Sequence, residues 1–227
     1  MSNQNSGNSV SNHKKSSSPE GSVIVTSYNQ LKTLRLLFAS LERQTFENFE
    51  VVIADDGSSD GTDQFCRSSF SFKLKFITQP DIGYRKAKIL NEAIRNASAD
   101  YLIFLDGDVI LERHFIEDHL FLRKQKHFVC GRRVDLGPVL SSKIRCVDVE
   151  RGCFDRPSIH LILSALKKDT SSLKRGVRCS VTTTSFPSLT SFRYLDKFAL
   201  SSATATKICF SFLAGTPICC VFDFFII

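Results

Sequence analysis

Between residues 22 and 135 short unbroken apolar runs alternate with longer stretches whose apolar residues recur every three or four positions. SVIVTSYN (22–29) begins as such a run and ends polar. In LKTLRLLFASLERQ, which follows, Leu31, Leu34, Phe38 and Leu41 fall on one face of a helix. FEVVIADDGSSDGT (49–62) predicts a second buried strand running into an Asp, Gly and Ser turn. KLKFIT (73–78) predicts a third strand, RKAKILNEAIRNAS (85–98) a second helix, and YLIFLD (101–106) a fourth strand. A helix around FIEDHLFLRKQ (115–125) and a strand at HFVCGRRV (127–134) complete the run. Strands alternating with helices of this length predict an α/β fold: a mixed, mainly parallel sheet with helices on both faces. Ligands on such a sheet bind beyond the carboxyl ends of the strands, so the residues that end each strand are where chemistry is expected.

Those ends are polar. Strand one ends in Thr26, Ser27, Tyr28 and Asn29, strand two in Asp55, Asp56 and Gly57, strand four in Asp106, Gly107 and Asp108. Two carboxylates at a strand end, with a small residue between them, suit a divalent metal that keeps most of its oxygen ligands from water and a diphosphate. Tyr28 can stack on a base, and an Asp at the end of strand two can accept a hydrogen bond from a base N–H or a ribose hydroxyl. Taken singly, Tyr28 reads first as a half-buried aromatic and Asp55 and Asp56 as a cap or turn, while Asp106-Gly107-Asp108 is equally a solvated turn. Three such ends converging on one crevice carry more weight than any one of them.

At 227 residues and 42% apolar, the chain can bury one full α/β core. Net charge is +7, but residues 1–150 hold 20 Lys plus Arg against 19 Asp plus Glu, and the excess lies after residue 150. Charge therefore gives the strand-and-helix region no reason to bind nucleic acid. The eight cysteines form no C-x-x-C pair and no metal spacing with His, which predicts free thiols in a reducing compartment. Residues 1–20, rich in Ser, Asn and Lys, read as a disordered leader.

VIVTSYNQ, VVIADDGSSDGT, DIGYRKAKILNEAI and YLIFLDGDVI, in this order and at these separations, resemble the nucleotide-binding half of family 2 glycosyltransferases of the GT-A fold. The resemblance covers roughly residues 22–135, and GYRKAKILN is similar to a variant found in bacterial members that build surface polysaccharide or lipopolysaccharide. It implies a Rossmann-like GT-A domain over residues 21–155. It further implies that Asp56, or Asp55, recognises uracil or another base, with Tyr28 and Thr26 lining that pocket. Asp106 and Asp108 would hold a divalent metal, Mn2+ or Mg2+, with Asp106 also meeting the sugar nucleotide. Where many relatives place an Arg directly before the Asn this chain has Leu90, which shifts the cationic role to Arg85 or Lys88. The activity implied is a metal-dependent, inverting transfer of sugar from a nucleotide-sugar donor, a UDP-sugar, to a glycan or lipid-linked acceptor. The expected setting is cytoplasmic, with peripheral association at the cytoplasmic face of a membrane as a further expectation.

The later sequence departs from the family. Relatives carry the catalytic base in a Gly-, Trp- and acid-rich stretch past the metal motif. This chain has no Trp and no Glu after Glu150, and its later acids are Asp155, Asp169, Asp196 and Asp223. Asp196 is the candidate base by distance alone. Residues 156–227 read as an atypical tail, irregular and consistent with an incomplete acceptor region. CSVTTTSFPSLTSF (179–192) has no period, and ICFSFLAGTPICCVFDFFII (208–227) packs three Cys and five Phe into twenty residues. A reading frame lost between about residues 156 and 185 accounts for this more simply than a membrane anchor, against which stand Pro217 and Asp223. Three expectations remain open: an active glycosyltransferase, a truncated remnant that binds nucleotide-sugar without catalysis, and a nucleotidyltransferase. For the last, TSYNQLKT lacks the Gly-rich loop.

Overall fold

The computed structural model describes residues 18–125, 127–130 and 134–155, with short pieces at 162, 166, 182–185, 218–219 and 225–226. In chain order the elements are β1 (Gly21–Ser27), α1 (Leu31–Leu41), β2 (Phe49–Asp55), α2 (Thr62–Cys66), β3 (Lys73–Thr78), α3 (Lys86–Asn96), β4 (Leu102–Asp106) and α4 (Phe115–Leu122). There follow β5 (His127–Cys130), β6 (Val134–Asp135), α5 (Pro138–Ser141), α6 (Cys146–Glu150), β7 (Thr182–Ser185), β8 (Ile218–Cys219) and β9 (Phe225–Ile226). The main sheet runs β3-β2-β1-β4-β8, parallel throughout. The α/β class and the parallel sheet expected from the sequence are what the structure has. The run read as one strand over 127–134 is instead β5 and β6, with 131–133 outside the described residues.

The apolar runs form strands because both faces of the sheet are covered. Successive side chains of a strand point to opposite faces, so a continuous apolar run is needed where helices pack on each. Val23, Val25, Val51, Ile53, Ile103 and Leu105 face α1 and α4, meeting Leu34, Leu37, Phe38, Leu41, Phe115 and Ile116. Ile24, Val52, Ala54 and Leu102 face the other way, onto Ile89, Leu90 and Ala93 of α3. A third apolar cluster lies behind α1, where Leu36 and Ala39 pack on Ile110, Val134, Leu136, Ile144, Val149 and Phe154. Helix α1 is thus apolar on opposite sides because it is sandwiched between the sheet and residues 134–154.

Helix α1 starts without a cap of its own: Gln30 makes no capping hydrogen bond, and the first turn carries no acid. Asp60, from the loop after β2, substitutes by accepting the Leu31 N–H at 2.7 Å, while its other oxygen accepts the Thr62 N–H and hydroxyl at 3.2 and 2.7 Å. Burial pushes this carboxyl up, and these bonds outweigh it, leaving the group below the ordinary aspartate value. Asp60→Ala is expected to lower stability by about 1 kcal/mol, the usual cost of a lost helix cap, as read by urea unfolding. Among the described residues no helix is long and apolar enough to cross a membrane.

Candidate functional site

Register aligns the strand ends. Thr26 sits beside Asp106, Ser27 beside Asp55, and Asp55 beside Thr78. The polar ends singled out in the sequence therefore stand in one row at the carboxyl edge of the sheet.

At the β4 end, the Thr26 hydroxyl donates to Asp106 Oδ1 at 2.9 Å, and Lys86, the first residue of α3, forms an ion pair with the same oxygen. The Asp106 side chain remains 41% exposed and that of Lys86 33%, so the pair opens to solvent. Gly107 follows, and a larger residue there would have to displace Gln30. A β-carbon there would press on the Gln30 amide and lie 3.0 Å from the Thr26 carbonyl oxygen, which already accepts Gln30 Nε2 at 3.1 Å. Asp108 is partly buried on the next turn of chain. Among the described residues no third His, Cys, Asp or Glu joins this pair in a metal-binding group.

The two carboxylates at the end of β2 differ in what they hold. Asp55, 1% exposed, accepts the Gly57 and Ser58 N–H groups at 3.2 and 2.9 Å, the Thr78 hydroxyl at 2.9 Å and the Ser58 hydroxyl. Four donors and near-complete burial commit this carboxylate to building the turn. Asp56 accepts one donor on each oxygen, the Gln79 amide on Oδ1 and the Arg85 N–H on Oδ2 at 2.9 Å, which leaves acceptor capacity on both. Gly57, at φ +90°, lies where a β-carbon would come within 2.7 Å of the Asp81 backbone nitrogen. The 79–85 segment is thereby seated directly against the β2 turn.

Tyr28 is 49% exposed, and its hydroxyl donates to Asp81 Oδ2 at 3.0 Å. Asp81 holds the phenol above its ordinary pKa, by that bond and by its charge, so the ring stays neutral. Arg85 donates from Nη2 to the Pro80 carbonyl, and its buried Nε finds no acceptor among the described residues. Lys88 lies exposed on α3. The cation that reaches Asp106 is Lys86, which the sequence reading passed over. Asp81 and Gln79 were likewise missed.

Of the late acids, Asp155 pairs with Arg43 through both carboxylate oxygens, just past the end of α1. Because α1 runs back from the carboxyl edge of the sheet, that pair lies at the opposite end from the row of strand ends. Asp196, the candidate base, lies outside the described residues, as do Asp169 and Asp223. A separate cavity of about 310 Å³ runs along α1, lined by Arg35, Phe38, Glu42, Phe65, Phe70 and Glu150 among others. It contains none of the strand-end residues.

The sequence model of Glycosyl transferase family 2 matches residues 22–149. Validoxylamine A glucosyltransferase of Streptomyces hygroscopicus subsp. jinggangensis is 39% identical over 102 residues, covering 44% of this chain and 24% of that protein. Chondroitin synthase of Escherichia coli is 29% identical over 103 residues, covering 44% of this chain and 15% of that protein. The chain thus spans about a quarter or less of the length of these relatives. Among solved structures, S. aureus TarS 1-349 in complex with UDP-GlcNAc aligns at 27% identity and a TM-score of 0.46, covering 52% of this chain and 36% of that one.

Proposed function

The chain belongs to glycosyl transferase family 2, and on that premise we propose that it transfers a sugar from a nucleotide-sugar donor, a UDP-sugar, to a glycan or lipid-linked acceptor with inversion. The observation that carries this reading is the alignment of Thr26, Asp55 and Asp106 along one sheet edge by strand register. That register brings the residues that follow these strands, Tyr28, Asp56 and the exposed Asp106, to one edge, where a base, a ribose and a diphosphate can bind side by side.

In this reading the Tyr28 ring packs on the base, and Asp56 accepts its N–H. Asp55 keeps the turn in place. Arg85 adds fixed positive charge facing the diphosphate. The residues also fit a divalent metal: the donors are carboxylate oxygens, the hard ligands that Mg2+ and Mn2+ take, and Asp106 is open to solvent. Asp106 and Asp108 would hold that ion. When bound, it supplies positive charge against the leaving diphosphate. The acceptor hydroxyl must pass its proton to a carboxylate base, for which the sequence offers Asp196 by distance alone. A cytoplasmic location at the membrane face is part of the same proposal.

The test is to incubate the full chain with UDP-sugars and Mn2+, with and without glycan or lipid acceptors, and measure UDP release. Acceptor-dependent release is the expected result. UDP binding with neither hydrolysis nor transfer would instead favour a nucleotide-sugar-binding chain that catalyses nothing. Failure to bind any nucleoside diphosphate would remove both readings.

A further inference from the structure

Lys86 is placed where two functions meet. Its ammonium sits on Asp106 Oδ1, the oxygen that also accepts the Thr26 hydroxyl. The preceding residue, Arg85, gives its N–H to Asp56, and Gln79 reaches Asp56 from the same segment. The junction between the 79–85 loop and α3 thus ties itself to both carboxylates proposed to meet the donor.

From this we infer that Lys86 is the resident counter-ion of Asp106 in the donor-free protein and a positioning residue for the donor diphosphate once a metal takes over Asp106. The inference rests on the donor site proposed above. An uncompensated carboxylate at a partly buried strand end is costly, and the ammonium offsets that cost while the site is empty of donor. An ammonium and a divalent cation on one carboxylate oxygen repel each other, an effect that solvent moderates at this half-open site. Lysine is suited to yielding: its charge is a compact point on a flexible four-carbon stem. The anion that arrives with the metal is the diphosphate, and an ammonium released from Asp106 is within a side chain's swing of it. Lys86 therefore opposes binding of the metal alone and favours binding of metal and diphosphate together. In this way it couples loading of the metal to loading of the donor.

Opposite signs make this testable. Mn2+ alone is titrated into the full chain, followed by free-ion electron paramagnetic resonance, and UDP is then titrated calorimetrically at saturating Mn2+. Wild type, Lys86→Met and Lys86→Arg are compared. Lys86→Met is expected to bind Mn2+ alone about threefold tighter, as suits removal of one half-exposed competing cation. The same variant is expected to bind UDP about tenfold more weakly, the effect of one lost charge-assisted bond. Lys86→Arg should restore UDP binding to within about threefold of wild type, since it restores the charge. Unchanged affinities in Lys86→Met, or both moving in the same direction while wild type binds UDP, would overturn the coupling role and leave the donor site standing. Wild type that does not bind UDP at all overturns the donor site, and the role of Lys86 with it.

Discussion

Asp106→Asn is expected to weaken Mn2+-dependent UDP binding by about 1–3 kcal/mol, the range for a lost charged partner. Transfer should fall further, by about a hundredfold or more, because charge on the leaving diphosphate is greatest in the transition state. The structure says why the variant should stay folded. Asparagine keeps the shape and still accepts the Thr26 hydroxyl, and the side chain it replaces is 41% exposed. Loss of the Lys86 ion pair at such a site costs at most about 1 kcal/mol. Calorimetric UDP titration and thermal unfolding on the same preparation separate the two effects. Unchanged UDP affinity with an intact fold would remove Asp106 from the site.

A second large effect is expected at the opposite edge of the sheet. Glu50 is fully buried at the start of β2. One oxygen accepts the Ser22 hydroxyl at 2.7 Å and the Ser98 N–H, and the other lies 3.1 Å from the Lys75 ammonium. The group therefore ties β1, β3 and the loop before β4 to β2. Burial is the largest influence on its pKa and acts upward, but the bonds from Ser22, Ser98 and Lys75 together outweigh it and hold the carboxyl below the usual glutamate range. Glu50→Ala leaves the Ser22 hydroxyl and the Ser98 N–H without that acceptor, while Lys75 keeps the Asn96 carbonyl and the Ser98 hydroxyl at 2.6 Å each; two buried donors left unsatisfied should cost about 3–5 kcal/mol. For a chain of this size that is a fall in Tm of about 10 °C or more. A depressed carboxylate pKa means stability that is complete above the unfolded value and lost as pH falls through the folded one. The stability gap between wild type and Glu50→Gln should therefore narrow as pH drops from about 6 to about 3, measured by urea unfolding.

The strands and the three main helices were legible because burial on two faces demands a pattern simple enough to read: unbroken apolar runs for β1, β2 and β4, and a 3.6-residue period for α1 and α3. The polar strand ends were legible for the same reason, since each run stops abruptly. Contacts between loops were harder to read. Which cation of Arg85, Lys86 and Lys88 meets Asp106 depends on where α3 begins. With Arg85 at the cap, Lys86 faces the strand ends, while Lys88, about 200° further round the helix, does not. One hint lay in the sequence unread: LKTLRLL is preceded by Gln30, a poor cap, so the helix had to find a carboxylate elsewhere, and DDGSSDGT supplies Asp60. A second was the apolar character of Leu36 and Ala39 on the far side of α1, which required a covering layer such as residues 134–154.

Hydrogen–deuterium exchange of the full chain, with and without saturating UDP and Mn2+, bears most directly on the placement of the donor site. Protection is expected at the backbone amides of residues 27–30, 56–58, 81–86 and 107–109, the segments that leave the row of strand ends. Protection instead along the cavity lined by Arg35, Phe65 and Glu150, with the strand-end loops unchanged, would contradict it.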